Sequence, residues 1–358
     1  MSTAIRPAPT GTDAQPPVRS RSRLPRFAPL GLYLAGIVVG AGLSALTSFS
    51  VASTVIYGVL LGTLAVYVAS RTVEGRRKAT DRLVTCLVTT AFGIAMIPLV
   101  SLVWTVLDNG LPRFDAQFFT NSMFRVVGEG GGAYHAILGT LIITALATVI
   151  SVPIGLMTAI YLVEYGSGRL KKAITFFVDV MTGIPSIVAG LFAFALFTLM
   201  FGNDVRLGVM GAVALSVLMI PVVVRSCEEV LKLVPNELRE ASYALGVPKW
   251  RTVVKVVLPT AIAGLGTGIT LAVARVVGET APLLVTVGLI TGTNLNPFDG
   301  RMATLPVFAF YQLTQPGTLT QAFLDRAWTA ALVLIILVMA LNIVARLISR
   351  FFAPSTGR

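Results

Sequence analysis

Eight long apolar runs constrain the fold of this 358-residue chain more than any other feature of its sequence. A helix needs about 20 apolar residues to cross a hydrocarbon layer of about 30 Å, and each run is of that order or longer. The runs cover residues 30–48, 53–70, 83–107, 136–163, 173–201, 207–224, 258–290 and 328–346. Hydrophobic residues make up 55% of the chain and charged residues only 12%, a balance that no soluble domain of this length needs for its core. The sequence therefore predicts an all-α integral membrane protein with about eight spans.

The positive charges separate into two sets of segments between the runs. Of the 28 Lys and Arg residues, 22 lie in one set, the two terminal segments and residues 71–82, 164–172 and 225–257. Five lie in the segments between these, on the opposite side of the membrane, and Arg275 lies inside a run. Because cytoplasmic loops carry the excess of Lys and Arg, both termini and the segment 225–257 are expected in the cytoplasm. The net charge of +12 does not indicate nucleic-acid binding, because no base-reading helix or RNA-binding aromatic motif accompanies it.

The N-terminal part divides into a tail and a hairpin. Residues 1–29 are rich in Pro, Arg, Ser and Thr without apolar periodicity, which predicts a disordered basic tail that meets anionic lipid headgroups. Residues 30–70 are predicted to form a transmembrane hairpin and not a cleaved signal peptide, because a second span follows the first at once. Close helix packing in this hairpin is predicted from two small-xxx-small patterns, GIVVG at 36–40 and GVLLG at 58–62. The main transmembrane domain is predicted to cover residues 71–358.

Three ionisable residues lie inside or at the end of apolar runs, where a lone charge costs about 2.5–3.5 kcal/mol. Arg275 and Glu279 are four residues apart, so a helix would place them on one face, where they can form a salt bridge that merely neutralises both. The functional alternative is that Arg275 presents guanidinium donors to an anion that crosses the membrane, while Glu279 weakens the binding enough for release. Arg225 ends the run 207–224, where an arginine is also a common topology signal.

A proline-containing stretch is a candidate wall of the same pathway. Pro185, within TGIPSIVAGL at 182–191, frees a backbone carbonyl that protein or water must satisfy. Nearby, Asp179 is expected to pair with Lys172 or another basic neighbour. On the opposite side of the membrane, His135 is expected to be an interfacial residue and not a ligand.

The segment 225–259 has the pattern of a short helix followed by a turn and a second helix. Asn236 can cap the first helix, and Gly246 followed by Pro248 can end it. Its apolar side would carry Leu238, Ala241, Ser242 and Leu245. Residues 249–258 are predicted to lie at the membrane interface, and Pro259 to bend the chain into the next span. The pattern alone fits both a docking element for a soluble partner and an ordinary amphipathic loop.

A family resemblance favours the docking element. The loop resembles the EAA loop of bacterial ABC importer permeases, in which EAA is followed by three residues, a glycine, nine residues and I-x-L-P. The matching positions are Glu240, Ala241, Gly246, Val256, Leu258 and Pro259, with Ser242 in place of the third small residue and Val256 in place of the isoleucine. The strings LKLVPNELREASYALGVPKW and ARVVGETAPLL are similar to the phosphate importer permeases of the PstA type, and the likeness extends over about residues 83–350.

The resemblance implies a six-helix ABC importer permease core, to which the N-terminal hairpin is an addition. It implies that Arg225, Arg275 and Glu279 line a phosphate pathway. It further implies that a cytoplasmic ATPase is coupled through Glu240, Ala241, Gly246, Leu258 and Pro259. The implied partners are a second homologous permease subunit in a heterodimer, two ATP-binding subunits, and an extracytoplasmic phosphate-binding protein that would meet the glycine-rich segment 128–132.

The chain itself is expected not to be an enzyme. It contains no GxxxxGK[ST] sequence, no metal-ligand cluster and a single histidine, so ATP and Mg²⁺ would be used by the partner ATPase and no cofactor is expected on this chain. Two alternatives remain open at this stage. One is a permease for another oxyanion such as sulfate or molybdate, and the other is a membrane scaffold in phosphate-responsive signalling.

Overall fold

The computed structural model describes residues 24–25, 27–47, 50–202, 205–317 and 319–352, and within these ranges it contains helices and no strand. The predicted disordered tail lies almost entirely outside the described residues. The helices are α1 (Ala28–Thr47), α2 (Val51–Val73), α3 (Arg76–Gly110), α4 (Ala116–Thr120), α5 (Tyr134–Ile160), α6 (Gly168–Thr182), α7 (Ser186–Phe201), α8 (Gly208–Lys232), α9 (Asn236–Ala244), α10 (Lys249–Thr252), α11 (Leu258–Val277), α12 (Ala281–Thr286), α13 (Leu305–Thr314) and α14 (Thr320–Phe352). Two π-helical turns, Tyr161–Tyr165 and Val253–Val257, extend α5 and join α10 to α11.

Seven of the helical segments in the described part of the chain are long and apolar enough to cross a membrane. The bent pair α6–α7 makes an eighth if it counts as one span. This confirms the prediction of an all-helical chain with about eight spans. The chain divides into two compact units, residues 1–103 and 104–358. The domain boundary predicted after residue 70 stays a prediction, because compactness does not say which helices belong to a family's common core.

In the first unit, α1 and α2 pack closely through their glycines. A Cβ atom on Gly40 would lie 2.7 Å from the Cα atom of Gly58, and one on Gly62 would lie 2.9 Å from the carbonyl oxygen of Tyr33. The backbones therefore approach at distances that only glycine permits, as the two small-xxx-small patterns predicted.

A buried carboxylate ties the end of α2 to its neighbours in the same unit. Glu74 accepts hydrogen bonds from Arg82 Nε at 2.7 Å and Nη2 at 2.9 Å, from Ser70 Oγ at 2.9 Å, and from the backbone N–H of Leu24 at 3.0 Å. The hydrogen bonds from Arg82 lower the pKa of Glu74 from 4.5 to about 2. Glu74 is therefore an ionised anchor at neutral pH.

In the second unit, α5 and α8 pack along their length and form the centre of the core. Ile143 of α5 and Leu215, Met219 and Val223 of α8 are buried in it. A Cβ atom on Gly155 would lie 2.6 Å from Val223, so glycine is needed where the two helices cross.

The predicted span 173–201 is not one straight helix. It is broken into α6 and α7, which meet at an angle of 106°. Gly183 ends α6, and Pro185 precedes α7 with an extended backbone (φ −58°, ψ 137°). Because proline also disfavours helical geometry in the residue before it, the chain turns at Ile184.

The segment 249–290 also differs from its prediction. Residues Lys249–Val277 form one continuous helical segment, so residues 249–258 are not a separate interfacial helix and Pro259 does not break the chain direction. The π-helical turn lets the helix continue past Pro259, which has no N–H to donate. Just before the proline, the N–H of Leu258 donates to the carbonyl of Val253, five residues back. The long helix ends at Val277, so the predicted apolar run to residue 290 is only partly helical.

Candidate functional site

The bend between α6 and α7 forms one wall of a small polar cavity in the second unit. The cavity has a volume of about 190 Å³ and also touches α8 and the end of α11. Its lining residues are Met181, Thr182, Ile184, Ser186, Leu218, Val222, Arg275, Val276 and Glu279. The stretch 182–191 thus lines a cavity with two of the three charged residues that the sequence singled out.

Of the two interpretations of Arg275 and Glu279, the salt bridge between them is not formed. Within the described residues no ion pair joins them, and the side chain of Arg275 makes no hydrogen bond there either. The reason is that α11 ends at Val277 and Gly278 caps it, so Glu279 lies in the following turn and its N–H donates to Val276 O at 3.1 Å. The i,i+4 geometry of a helix therefore does not reach Glu279. Arg275 is exposed to the cavity without an internal counter-ion.

Arg225 is placed differently from Arg275. It lies on α8, outside the lining of the cavity, and forms ion pairs with Asp179 of α6 and, at 2.8 Å, with Glu228. Glu228 in turn accepts a hydrogen bond from Lys232 at 2.7 Å. Asp179 therefore has a basic partner as predicted, and the partner is Arg225 and not Lys172. The ion pair between Arg225 and Asp179 joins α8 to α6 about one turn before the bend.

His135 lies in the first turn of α5, at the start of a span as predicted, and it is buried. Its ring meets the ring of Phe308 edge-on with centroids 5.6 Å apart. No group of three or more His, Cys, Asp or Glu residues that could hold a metal ion occurs in the part of the chain that is described.

The loop between α8 and α10 contains the short helix α9. Pro235 is its N-cap, and Asn236 is its first residue, so the predicted capping role of Asn236 is wrong. The predicted end is confirmed: Gly246 has φ +73°, and the N–H of Val247 donates to Ser242 O at 3.2 Å. Ser242 is buried, with its hydroxyl 2.8 Å from that of Thr252, which attaches α9 to α10.

The outer face of this loop is exposed and partly apolar. Glu240 and Ala241 are exposed on α9. Leu245 is 83% exposed, and Leu233, between α8 and α9, is 81% exposed. Farther along, Leu258 is half-buried and Pro259 exposed at the start of α11. Large apolar side chains that remain this exposed beside polar residues are typical of a surface that a protein partner covers.

An ion pair that the sequence analysis missed attaches α9 to the end of α5. Arg239 donates from Nη2 at 2.8 Å and from Nε at 3.0 Å to Glu164 Oε1, in the π-helical turn that ends α5. It also donates to Leu231 O at 3.0 Å and Val234 O at 2.6 Å, near the end of α8. The two charged side chains are only 12% and 5% exposed. We refer to Arg239 and Glu164 as the clamp, because together they hold α9 to the ends of α5 and α8.

Comparisons with known proteins agree with this architecture. Residues 151–358 match the family described as the binding-protein-dependent transport system inner membrane component. The chain is 49% identical over 286 residues to the phosphate transport system permease protein PstA 1 of Mycobacterium tuberculosis, covering 79% of this chain and 91% of that one. It is 36% identical over 276 residues to PstA of Pasteurella multocida, covering 76% of this chain and 95% of that one.

A solved structure shows the same fold. The chain matches a component of a bacterial alginate ABC transporter, crystallised with an alginate-bound periplasmic protein, with a TM-score of 0.54 at 13% identity over 77% of this chain and 96% of that one. Together with the apolar helices, the matches make this a multi-pass inner membrane protein. The chain belongs to the binding-protein-dependent transport permeases, among those of the PstA type.

Proposed function

We propose that this chain is a permease subunit of an ATP-driven importer of inorganic phosphate. The observation that carries the proposal is Arg275, an arginine near the end of a membrane-spanning helix that faces a polar cavity and has no counter-ion among the described residues. A guanidinium suits the oxygens of phosphate, and an unpaired charge inside a span is expected to face an aqueous cavity or a substrate. The relatives that share most of this chain are phosphate permeases by name.

Glu279 completes the proposed pathway site. Because it lines the same cavity without pairing with Arg275, it adds negative charge where an anion would sit and so weakens the binding of that anion. A site with Arg275 alone would hold phosphate more tightly and release it more slowly. Arg225, already paired with two carboxylates, fits a supporting role in which it holds α6 against α8.

The exposed loop around α9 is the proposed contact with the ATPase. Glu240, Ala241 and the turn at Gly246 would sit in a cleft of a cytoplasmic ATP-binding subunit, with Leu258 and Pro259 fixing the start of α11 behind them. Under this proposal the full assembly has a second homologous permease subunit, two ATP-binding subunits that use ATP and Mg²⁺, and an extracytoplasmic phosphate-binding protein. The clamp would pass the movement of α9 to α5 and α8.

Uptake in cells tests the proposal. Cells that lack the chain are complemented with wild type, Arg275→Gln, or the control Arg169→Gln, which removes an exposed arginine outside the cavity. Labelled phosphate and labelled sulfate are followed in parallel, and membrane insertion is checked by immunoblot. We expect wild type and the control to restore phosphate uptake only, and Arg275→Gln to restore neither. Restoration of sulfate uptake by wild type would identify another oxyanion as the substrate, and restoration of neither anion would favour a scaffold.

A further inference from the structure

A second polar cavity lies at the other end of α5, away from the clamp. Its volume is about 340 Å³. It lies where the glycine-rich segment 128–132 meets the first turns of α14, just before α5 begins at Tyr134. The 30 steps from Tyr134 to Glu164 correspond to roughly 45 Å of helix, so this cavity and the loop around α9 lie at opposite ends of the unit.

The cavity is built around a buried arginine, Arg326, which is 1% exposed. Its Nη1 donates to Gly128 O at 2.6 Å and Gly130 O at 3.1 Å, and its Nε donates to Gln312 Oε1 at 3.2 Å. Gly128 and Gly130 have φ values of +93° and +84°, a conformation that glycine adopts without strain. Glycine at positions 128 and 130 is therefore explained by the carbonyls that these residues present to Arg326.

The contacts of Arg326 leave one requirement unmet. Its Nη2 atom is buried and has no hydrogen-bond partner, and over the described residues no carboxylate forms an ion pair with this side chain. The three acceptors that it does have are neutral. A buried guanidinium is stable when an anion is paired with it, so the site lacks an anionic acceptor.

The rest of the lining offers both donors and acceptors. Arg113 is already paired with Asp115, while Gln117 and Gln321 add carboxamides. Two carboxylates, Glu129 and Asp325, also line the cavity, and Asp325 accepts from Gln321 Nε2 at 2.7 Å. These carboxylates repel an anion that carries only acceptor oxygens. An oxyanion that still bears a proton can donate that O–H to one of them while Arg326 binds its unprotonated oxygens.

We infer that this cavity is a binding site for a protonated oxyanion, hydrogen phosphate, at the end of the permease where the substrate enters. The identification of phosphate rests on the proposed function, whereas the requirement for an anion rests on Arg326 alone. Sulfate is fully deprotonated at neutral pH and cannot satisfy the carboxylates. The site therefore selects phosphate before the ion reaches Arg275.

Equilibrium binding of labelled inorganic phosphate to the purified, assembled permease complex tests this inference. All variants carry Arg275→Gln, so that the binding measured comes from the second cavity, and the external binding protein is left out. We expect saturable phosphate binding that excess sulfate does not displace. Adding Arg326→Gln should weaken it at least about tenfold, since a charge-assisted hydrogen bond is lost. Because Arg326 is buried, a second variant, Gln321→Ala, changes an exposed residue at the rim of the cavity and leaves the buried core unchanged.

Glu129→Gln tests the selectivity of the cavity. Replacing this exposed carboxylate by an amide that can donate should let sulfate compete with phosphate, while the complex stays folded. The inference is overturned if the Arg275→Gln complex binds no phosphate, or if Arg326→Gln and Gln321→Ala leave the binding unchanged. It is also overturned if these variants weaken only the docking of the external binding protein, because the cavity would then receive a carboxylate of that protein. The two proposals can fail separately. Transport by the Arg275→Gln variant tests the proposed function, and phosphate binding to the Arg275→Gln complex tests this inference.

Discussion

Neutralising the clamp should uncouple ATP hydrolysis from transport. Glu164→Gln keeps the shape of the side chain but removes the charge that faces Arg239 Nε and Nη2 at 3.0 and 2.8 Å. Both side chains are nearly buried, so Arg239 would be left without its only anionic partner among the described residues. Removing one partner of a buried ion pair costs about 3–5 kcal/mol. The carbonyls of Leu231 and Val234 still accept from Arg239, so we take the lower end, about 3 kcal/mol or roughly a 100-fold change in how firmly α9 is held.

The assay compares two rates in the same proteoliposomes. Uptake of labelled phosphate and hydrolysis of ATP are measured with the assembled importer, and the ratio of phosphate moved to ATP hydrolysed is compared between variants. We expect this ratio to fall at least about tenfold in Glu164→Gln while hydrolysis continues, because the ATPase would still bind α9 but α9 would move without α5. The matched control is Glu237→Gln, which removes an exposed carboxylate from α9 itself.

A double-mutant cycle shows whether the effect belongs to the pair. Glu164→Gln, Arg239→Gln and the double variant are compared by thermal unfolding in detergent, and their effects should not add, since either single change already breaks the pair. Arg239→Lys should behave like a partial loss, because a lysine keeps the charge but cannot make the forked contact. An unchanged transport ratio in Glu164→Gln, with normal amounts of assembled complex, would refute the role of the clamp, and so would additive effects in the cycle.

Two further predictions concern the short helix and the hairpin. Gly246→Val should reduce phosphate uptake strongly and leave membrane insertion intact. Valine at φ +73° costs on the order of 1–3 kcal/mol and would shift the end of α9. Co-purification of the ATPase with the variant would measure the lost docking. The pKa of Glu74 is lowered to about 2, so its ionised form stabilises the fold at any pH above 4.5, its ordinary pKa. This stabilisation is lost as the pH falls from 4.5 through 2. Melting in detergent should therefore show wild type more stable than Glu74→Gln at pH 7, with a difference that shrinks below pH 4.5; a constant difference would contradict the assignment.

The sequence predicted the features that depend on local patterns. Apolar runs specify membrane helices because the backbone must satisfy its own hydrogen bonds in lipid, which is why the number of spans was correct. The close packing of the hairpin and the turn at Gly246 followed from the lack of a side chain on glycine. Each of these follows from residues within about two helical turns of each other.

The failures have physical reasons that differ from case to case. The bend before α7 lies inside an unbroken apolar run, so hydropathy does not reveal it. Gly183 and Pro185, which disfavour helix, were the local indication of a break. The shared helix face of Arg275 and Glu279, which made a salt bridge one of two interpretations, was predicted from spacing alone. Gly278 between them was the signal that the helix stops. The clamp could not be found in this way, because its residues are 75 positions apart and no pattern in a single sequence pairs them.

If α9 contacts the ATPase as proposed, the contacts between helices describe how its movement would reach the cavity. Arg239 bonds the carbonyls near the end of α8, and α8 carries Arg225, which is paired with Asp179 on α6. Two residues beyond Asp179, the chain enters the bend that lines the cavity at Met181. The steps between helices in this route are charged hydrogen bonds, and such bonds hold a fixed geometry where apolar surfaces can slide. Under the proposed function, a displacement of α9 would reach the wall of the cavity through α8 and α6, and would reach Arg275 through the contact of Ser242 with Thr252 and the continuous segment Lys249–Val277.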